Sequence, residues 1–249
     1  MPMLTGPDHI DANTATRRLS QTRKTELVEL RRTLDAALAA ARTFRDPDLT
    51  DEANARRRAD MERTARTQAA ATLDRIEREA NNAAALVRTV ADKASAAGQP
   101  RDAAGQLLAE TRQARAWDRA RALLDAGRTP QEVIKGADLD TLHALRAELP
   151  TYLSAQRTKP QGLAGAEFTE VNPARILHTI DRARLDHLPK EQAAALRARL
   201  DLDAIEPGLR ETFAGLRREV DGTADPGNGL RTAVAARLAD QQAAPPPAT

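Results

Sequence analysis

The sequence contains no cysteine, which excludes disulfides, thiolate catalysis and cysteine-based metal sites. Its four histidines are scattered, and none stands four residues from another histidine, the spacing of a helical metal site. The glycine patterns of serine hydrolases, P-loops and dinucleotide-binding folds are absent as well. We therefore expect no metal site and no cofactor. An enzyme with an unrecognised site ranks third among the interpretations of this sequence.

Aromatic and large aliphatic residues are scarce. There are one Trp, one Tyr and three Phe, and Leu, Ile, Val and Phe together make up 45 of the 249 residues. That share lies below the roughly 20% under which a highly charged chain is expected to be disordered, but the formal net charge is only +2. Alanine, the best helix former, contributes 52 residues. The composition therefore indicates a helical protein with a thin core and modest stability in the absence of a partner.

No part of the chain has a large excess of one charge. The chain has 38 basic residues against 36 acidic ones. The basic residues are 33 arginines and 5 lysines, and this small excess accounts for the pI of 9.3. Asp60 and Glu62 dilute the densest basic cluster, as is typical of a solvated helix face; the cluster consists of Arg56, Arg57, Arg58, Arg63 and Arg66. No apolar run has the length of a signal-sequence core or of a membrane span. We expect a cytoplasmic protein without membrane contact, and no small-molecule ligand is evident.

Glycine and proline are both missing from residues 50–97, which predicts one helix of about 70 Å. Residues 12–44 predict its partner, because apolar side chains recur there at alternating spacings of three and four. The seam of this first arm is Leu27, Leu30, Leu34, Ala37, Ala41 and Phe44. If the same spacing is continued toward the N-terminus, the seam positions are the polar residues Thr16, Ser20 and Arg23. The seam is therefore expected to fray there. The second arm continues with Ala69, Leu73, Ile76, Ala80, Ala83, Val87, Val90, Ala94 and Ala97.

The break between the arms carries the signals of a helix end followed by a helix start. Pro47 stops the first helix, and Thr50 is a good N-cap for the second. Asp51 and Glu52 follow in the first turn, where the helix dipole favours acids. A short break between two periodic helices predicts an antiparallel hairpin. We therefore predict an all-α fold, in which a long, coiled-coil-like helical hairpin is followed by a bundle of shorter helices.

The expected organisation has six segments. They are a flexible N-terminal arm (1–11), the hairpin (12–97), a helical segment (98–156), a loop (157–171), a region of short helices (172–241) and a disordered tail (242–249). The short helices of the fifth segment are expected to be separated at Pro207-Gly208 and over residues 221–229.

Within residues 98–156, the sequence predicts three helices. The first is capped by Asp102, ends at Ala126 before Gly127, and turns one face inward, formed by Leu107, Ala114, Trp117, Ala120 and Leu124. Thr129 and Glu132 form a capping box with a proline between them, which predicts a short second helix. The third begins at Asp138 or Asp140 and has Pro150 near its end.

Residues 120–149 give the alternative function. The order of helix, glycine turn, short capped helix and further helix resembles a helix-turn-helix, most closely in AGRTPQEV. The interval from Val133 to Thr141 is about two residues short of that motif, and the reading helix offers only His143 and Arg146 to a phosphate-lined groove. A structural corner is favoured. Nucleic-acid binding through His143, Arg146 and the arginines at 56–58 is possible but disfavoured.

The leading interpretation is a non-enzymatic structural or assembly protein, such as a scaffold, an adaptor or a viral assembly protein, acting through helix–helix interactions. The expected partner is another protein or a second copy of the chain, so a homo-oligomer is expected. The residues predicted to bind the partner belong to the seam and to the apolar side of the third helix: Leu27, Leu30, Leu34, Phe44, Leu73, Ile76, Val87, Val90 and Trp117.

Overall fold

The computed structural model describes residues 7–97, 100, 102–157, 173–225 and 227–243. Every regular element within these residues is helical, which confirms the all-α class. A π-helical turn, Thr22–Glu26, joins the first two helices. In chain order the α-helices are α1 (Pro7–Gln21), α2 (Leu27–Thr43), α3 (Asp51–Ala97), α4 (Ala103–Asp125), α5 (Pro130–Lys135), α6 (Leu139–Arg157), α7 (Pro173–Arg184), α8 (Lys190–Val220) and α9 (Asn228–Ala243).

The packing divides the chain into two compact units. The hairpin unit consists of Thr14–Leu86 and Leu202–Ala243, and the corner unit contains the described residues among 7–13 and 87–201. Helices α1, α3 and α8 each contribute to both units, so these boundaries of the division fall inside helices. α1 begins at Pro7, inside the expected flexible arm. The remainder of that arm, the expected loop from residue 158 onward and the tail after residue 243 lie outside the described residues.

In the hairpin unit, α2 and α3 run antiparallel, as predicted. The hydroxyl of Thr50 accepts the N–H three residues later at 3.2 Å and so caps α3. Asn54, which is 2% exposed, closes the turn: its Oδ1 accepts the Asp46 N–H at 2.8 Å, and its Nδ2 donates to the Asp46 carbonyl at 2.9 Å. Far from the turn, Arg18 of α1 pairs with Glu79 of α3. The first arm therefore lies alongside α3 through α1 as well as through α2.

The buried seam departs from the predicted alternation at one position in each arm. Leu38 is buried instead of Ala37, and Ala84 is buried instead of Ala83. In both arms two spacings of four follow one another at this point. Two spacings of three then follow, so Ala41 and Val87 are buried at their predicted positions, and the exchange moves one seam position in each arm without changing the frame. The α3 position at Ala97 lies outside the residues whose side chains are described.

The expected fraying of the first arm is wrong. Leu19 is 1% exposed and Thr22 is 4% exposed, whereas Ser20 and Arg23 are only half-buried. The π-helical turn accommodates one more residue than an α-helical turn, so the frame upstream of it is shifted by one position. Thr16 is itself buried. The seam therefore continues through α1, where Leu19 is buried in place of the predicted seam residue Ser20.

The break expected at Pro207-Gly208 is also wrong, since α8 runs uninterrupted through both residues. Gly208 serves the packing of α9 on α8 instead. A Cβ at Gly208 would lie 2.8 Å from the carbonyl oxygen of Ala236, and one at Gly215 would lie 2.7 Å from Cβ of Thr232. Asn228 also donates from Nδ2 to the Gly215 carbonyl at 3.1 Å. The glycines of α8 thus allow close approach of two helices.

In the corner unit, α6 packs on α4 and α7, and α5 packs on α4 and α7. Their shared core contains Ala120, Leu124, Val133, Ile134, Leu142, Leu145, Leu149, Leu153, Ile176 and Ile180. The capping box of α5 forms as predicted: Thr129 Oγ1 accepts the Glu132 N–H at 3.3 Å, and Glu132 Oε2 accepts the Thr129 N–H at 2.9 Å. Gly127 has φ +87°, the left-handed conformation that suits glycine just after a helix end.

Three details of these helices differ from prediction. Asp102 stands at the N-cap of α4 but makes no capping hydrogen bond through its side chain, whereas Asp138 does cap α6. α6 continues past Pro150 to Arg157, because Leu153 beyond the proline is buried in the core. Leu107 and Ala114, both expected inside, are exposed, Leu107 at 66%, since the buried positions of α4 begin only at Ala116.

Trp117 packs against the core of the corner unit and is partly buried. Its ring meets that of Tyr152 edge to face, with centroids 5.8 Å apart. The hydroxyl of Tyr152 donates to Asp125 Oδ1 at 2.7 Å, and burial together with this carboxylate raises the pKa of Tyr152 to about 12. The aromatic pair therefore joins the C-terminal part of α6 to α4.

Candidate assembly surface

The residues that the sequence predicts to bind a partner are used inside the chain. In the hairpin unit, Leu27, Leu30, Leu34, Leu73 and Ile76 are each at most 7% exposed. Val87 and Val90, on the part of α3 in the corner unit, are 0% and 1% exposed. Phe44 is half-buried at the turn, where its carbonyl accepts a hydrogen bond from Arg58. A side chain buried in one chain presents no surface to a partner, so the seam is core.

The residues of the nucleic-acid alternative are also largely engaged within the chain. Arg56 pairs with Glu52 at 2.6 Å on an exposed helix face, Arg57 is exposed, and Arg58 holds the hairpin turn. On α6, Arg146 Nε donates to Asp181 of α7 at 2.7 Å. Most of the sequence-predicted nucleic-acid contacts are therefore paired with other residues of their own unit.

His143 belongs to the same ionic cluster between α6 and α7. Asp181, which is 8% exposed, accepts from both Arg146 and Arg184, the latter at 2.8 Å. Arg184 Nη2 lies 3.1 Å from His143 Nε2. Because guanidinium groups only donate, Nε2 must accept, which assigns the proton of a neutral imidazole to Nδ1. Burial, followed by the charge of Arg184, lowers the pKa of His143. The cluster orients helices, with Asp140 as a further acid near the imidazole.

This arrangement makes the corner unit sensitive to acid. The unfolded chain takes up a proton at His143 near pH 6.5, whereas the folded chain does so only at lower pH, so stability falls as pH drops through roughly 6.5. We expect urea unfolding, followed by Trp117 fluorescence, to show a larger loss between pH 7.5 and 5.5 in the wild type than in His143→Gln. Glutamine can accept from Arg184 without titrating. Equal losses in both proteins would contradict the assignment of His143.

The most exposed apolar surface that we find in the hairpin unit is a stripe on α9, which we call the α9 ridge. It consists of Leu230, Val234 and Leu238, which are 73%, 49% and 51% exposed. Their spacing of four places them on one face of the helix. The opposite face, with Thr232 and Ala236, is 3% and 2% exposed and packs against the glycines of α8. α9 therefore packs through its small residues and exposes its large ones.

The sequence predicted this helix but not the orientation of its faces. Three aliphatic residues at helical spacing normally indicate the buried face. The signal that could have located the buried face instead is the pair Gly208 and Gly215, seven residues apart on α8, which allows close approach only to a helix face of small residues.

An apolar groove lies elsewhere in the hairpin unit, between α3 and α8, and we call it the α3–α8 groove. Its volume is about 240 Å³. Leucine, isoleucine, phenylalanine and alanine side chains form its walls: Leu19, Ala80, Ala84, Leu202, Ile205, Leu209, Phe213 and Ala214. The small side chains of Ala80 and Ala84 on α3 leave this space open. It is an apolar groove with a polar rim.

The charges on the rim are paired with one another. Arg217 reaches Asp74 at 2.6 Å and Glu77 at 2.8 Å, and Arg210 reaches Glu206 at 2.7 Å. Paired charges around an apolar floor suit the binding of aliphatic side chains better than the binding of a charged small molecule.

A metal site and a membrane-spanning helix find no support among the described residues. No group of three or more histidines and carboxylates there is placed to hold a metal ion. In the same part of the chain, none of the helices combines the length and the apolar character that crossing a membrane requires. Comparison of the chain with protein-family models, with curated proteins and with solved structures finds no match.

Proposed function

We propose that this chain is a non-enzymatic helical assembly protein that binds a protein partner, or another copy of itself, through helix–helix contacts. The α9 ridge is the observation that carries the proposal. Isolated exposed leucines are common on protein surfaces, but aliphatic side chains aligned along one helix face form a contiguous patch. Anchors at such spacing are what an amphipathic helix inserts into a partner's groove.

The charge pattern favours this function over nucleic-acid binding. Phosphate binding releases counterions, so its affinity falls steeply as salt rises. Burial of an aliphatic ridge responds little to salt. The basic residues at 56–58 and at 146 have acidic or backbone partners at three of four positions, which leaves little concentrated positive charge.

Association should therefore persist from low salt to several hundred millimolar. The ridge variant carries Leu230→Ser together with Leu238→Ser. We expect it to lose self-association, measured by sedimentation, or to lose the capture of a partner from the native source. Both side chains are exposed, so the thermal midpoint of the variant should be nearly unchanged. The matched control is Leu107→Ser with Leu108→Ser on α4, where both side chains are similarly exposed. This control should associate like the wild type.

Two results would refute the proposal. One is a chain that stays monomeric at every concentration and captures no protein. The other is capture that depends on nuclease-sensitive material, falls steeply with salt and disappears when Arg56, Arg57 and Arg58 are replaced by Gln. That second result would establish the nucleic-acid alternative.

A further inference from the structure

We infer that the partner of the α9 ridge is a second copy of this chain, and that the ridge of one copy docks in the α3–α8 groove of the next. The inference rests on the proposed function and names its partner. It follows from two complementary apolar surfaces on one unit that its own fold keeps apart.

The first argument is that the ridge cannot fill the groove of its own chain. Successive residues of an α-helix are 100° apart, which places Gly208 and Gly215 on nearly the opposite side of α8 from Phe213 in the groove. α9 is held on the glycine side by the bond from Asn228 to Gly215 and by Arg23 and Asp240 at 2.6 Å. The ridge then points away from α8.

The second argument concerns size. The ridge runs from Leu230 to Leu238, about 12 Å along the helix, and the groove wall on α3 from Glu77 to Ala84 is about 10 Å long. The groove is thus almost as long as the ridge, and its open volume of about 240 Å³ is lined by apolar side chains that suit the aliphatic residues of the ridge.

The third argument is the charge at the edges. Arg231 and Arg237 flank the ridge on either side, and Arg231 pairs with Asp225 at 3.0 Å, so Arg237 provides most of the positive charge beside the ridge. The groove has an acid on each rim, Glu77 on α3 and Glu206 on α8. Each of these carboxylates already binds an arginine of α8, but a carboxylate has room for further donors. With Asp74, the rim carries three carboxylates against the two arginines Arg210 and Arg217, so a rim with a net negative charge meets the basic flank of the ridge.

The geometry has a consequence for the size of the assembly. Ridge and groove are different surfaces, so each copy that uses one still has the other free. Contacts of this heterologous kind continue from copy to copy and end only in a closed ring or an open filament. A symmetric dimer, in which the same surface meets itself, is not expected.

Two defective variants with complementary intact surfaces test this geometry. The ridge variant retains the groove. Ala84→Leu fills the groove and retains the ridge, and Asn81→Trp, at an exposed position on the rim, blocks the groove without altering the core. Each variant alone should associate at least about tenfold more weakly than the wild type, the scale of losing an interface anchor. Circular dichroism and thermal unfolding verify that each is folded.

The mixture of two variants gives the decisive result. Ridge variant and groove variant together should form a one-to-one dimer, measured by sedimentation, and should not grow beyond it. Wild-type association that Ala84→Leu and Asn81→Trp both leave intact would overturn the inference while the proposed function stands, as would variants that do not complement one another. A wild type that neither associates nor captures a protein would refute the proposed function itself.

Discussion

Replacing Leu73 with Ala is expected to lower the free energy of unfolding by about 3–5 kcal/mol, the range for a leucine deleted from a rigid core. Leu73 is 0% exposed, and its neighbours along the seam of α3 are Ala69 and Ile76. The short side chain of Ala69 cannot move to fill the space and the β-branched Ile76 is stiff at χ1, so the cavity remains. The loss would be a large part of the total stability of a chain with so few large apolar residues.

The matched control is Leu86→Ala, the same substitution on the same helix at a side chain that is 42% exposed. It should cost less than about 1 kcal/mol, since surface substitutions have small effects. Urea unfolding followed by circular dichroism measures both proteins, because the single tryptophan lies in the other unit. Similar losses at residues 73 and 86 would show that the seam is not packed as described.

The same reasoning changes what the seam leucines mean. The sequence suggests that replacing Leu30 and Leu34 would weaken association, because a seam can belong to one chain or join two. Both are buried within the hairpin unit, so their replacement should act on folding, and on association only through folding. Apolar residues at alternating spacings of three and four show that a helix packs lengthwise on another helix. They do not show whether that other helix belongs to the same chain.

Features determined by a few neighbouring residues were predictable. The cap at Thr50 and the capping box at Thr129 depend on side chains that bond backbone groups three residues away, so the sequence contains all the participants. The long helix without glycine or proline is local in the same sense. All three form as expected, and the fold class follows from them.

Features that depend on a distant element were not predictable. The π-helical turn changes the frame of α1, and no composition signal marks it. The α9 ridge is exposed because glycines of α8 select the small-residue face of α9 for close packing, and that choice is made between helices. The groove exists because Ala80 and Ala84 lie opposite the face of α8 that carries Phe213. Both parts of the candidate surface are tertiary features, so sequence periodicity pointed instead to the buried seam.

Replacing Gly215 with Ala should destabilise the hairpin unit by about 2 kcal/mol, although helix propensity alone favours alanine by about 1 kcal/mol. The new Cβ would overlap Oγ1 of Thr232 and lie 2.7 Å from its Cβ. A Cβ cannot rotate away, so α8 and α9 must separate, which also strains the bond from Asn228 to the Gly215 carbonyl.

The control for this effect is Gly136→Ala, at a glycine with no atom within 4 Å of the place that a Cβ would occupy and a φ of −105° that alanine adopts freely. That substitution should be neutral or stabilise by up to about 1 kcal/mol through the unfolded chain. Adding Thr232→Gly to Gly215→Ala removes the Cβ that the new methyl meets. If α8 and α9 pack as described, the double variant should be less destabilised than the sum of the two single changes, by 0.5 kcal/mol or more on the usual scale of roughly 0.5–3 kcal/mol for residues in contact. Strict additivity, measured by urea unfolding of all four proteins, would mean that Gly215 and Thr232 do not touch, and that the face α9 exposes is not the ridge.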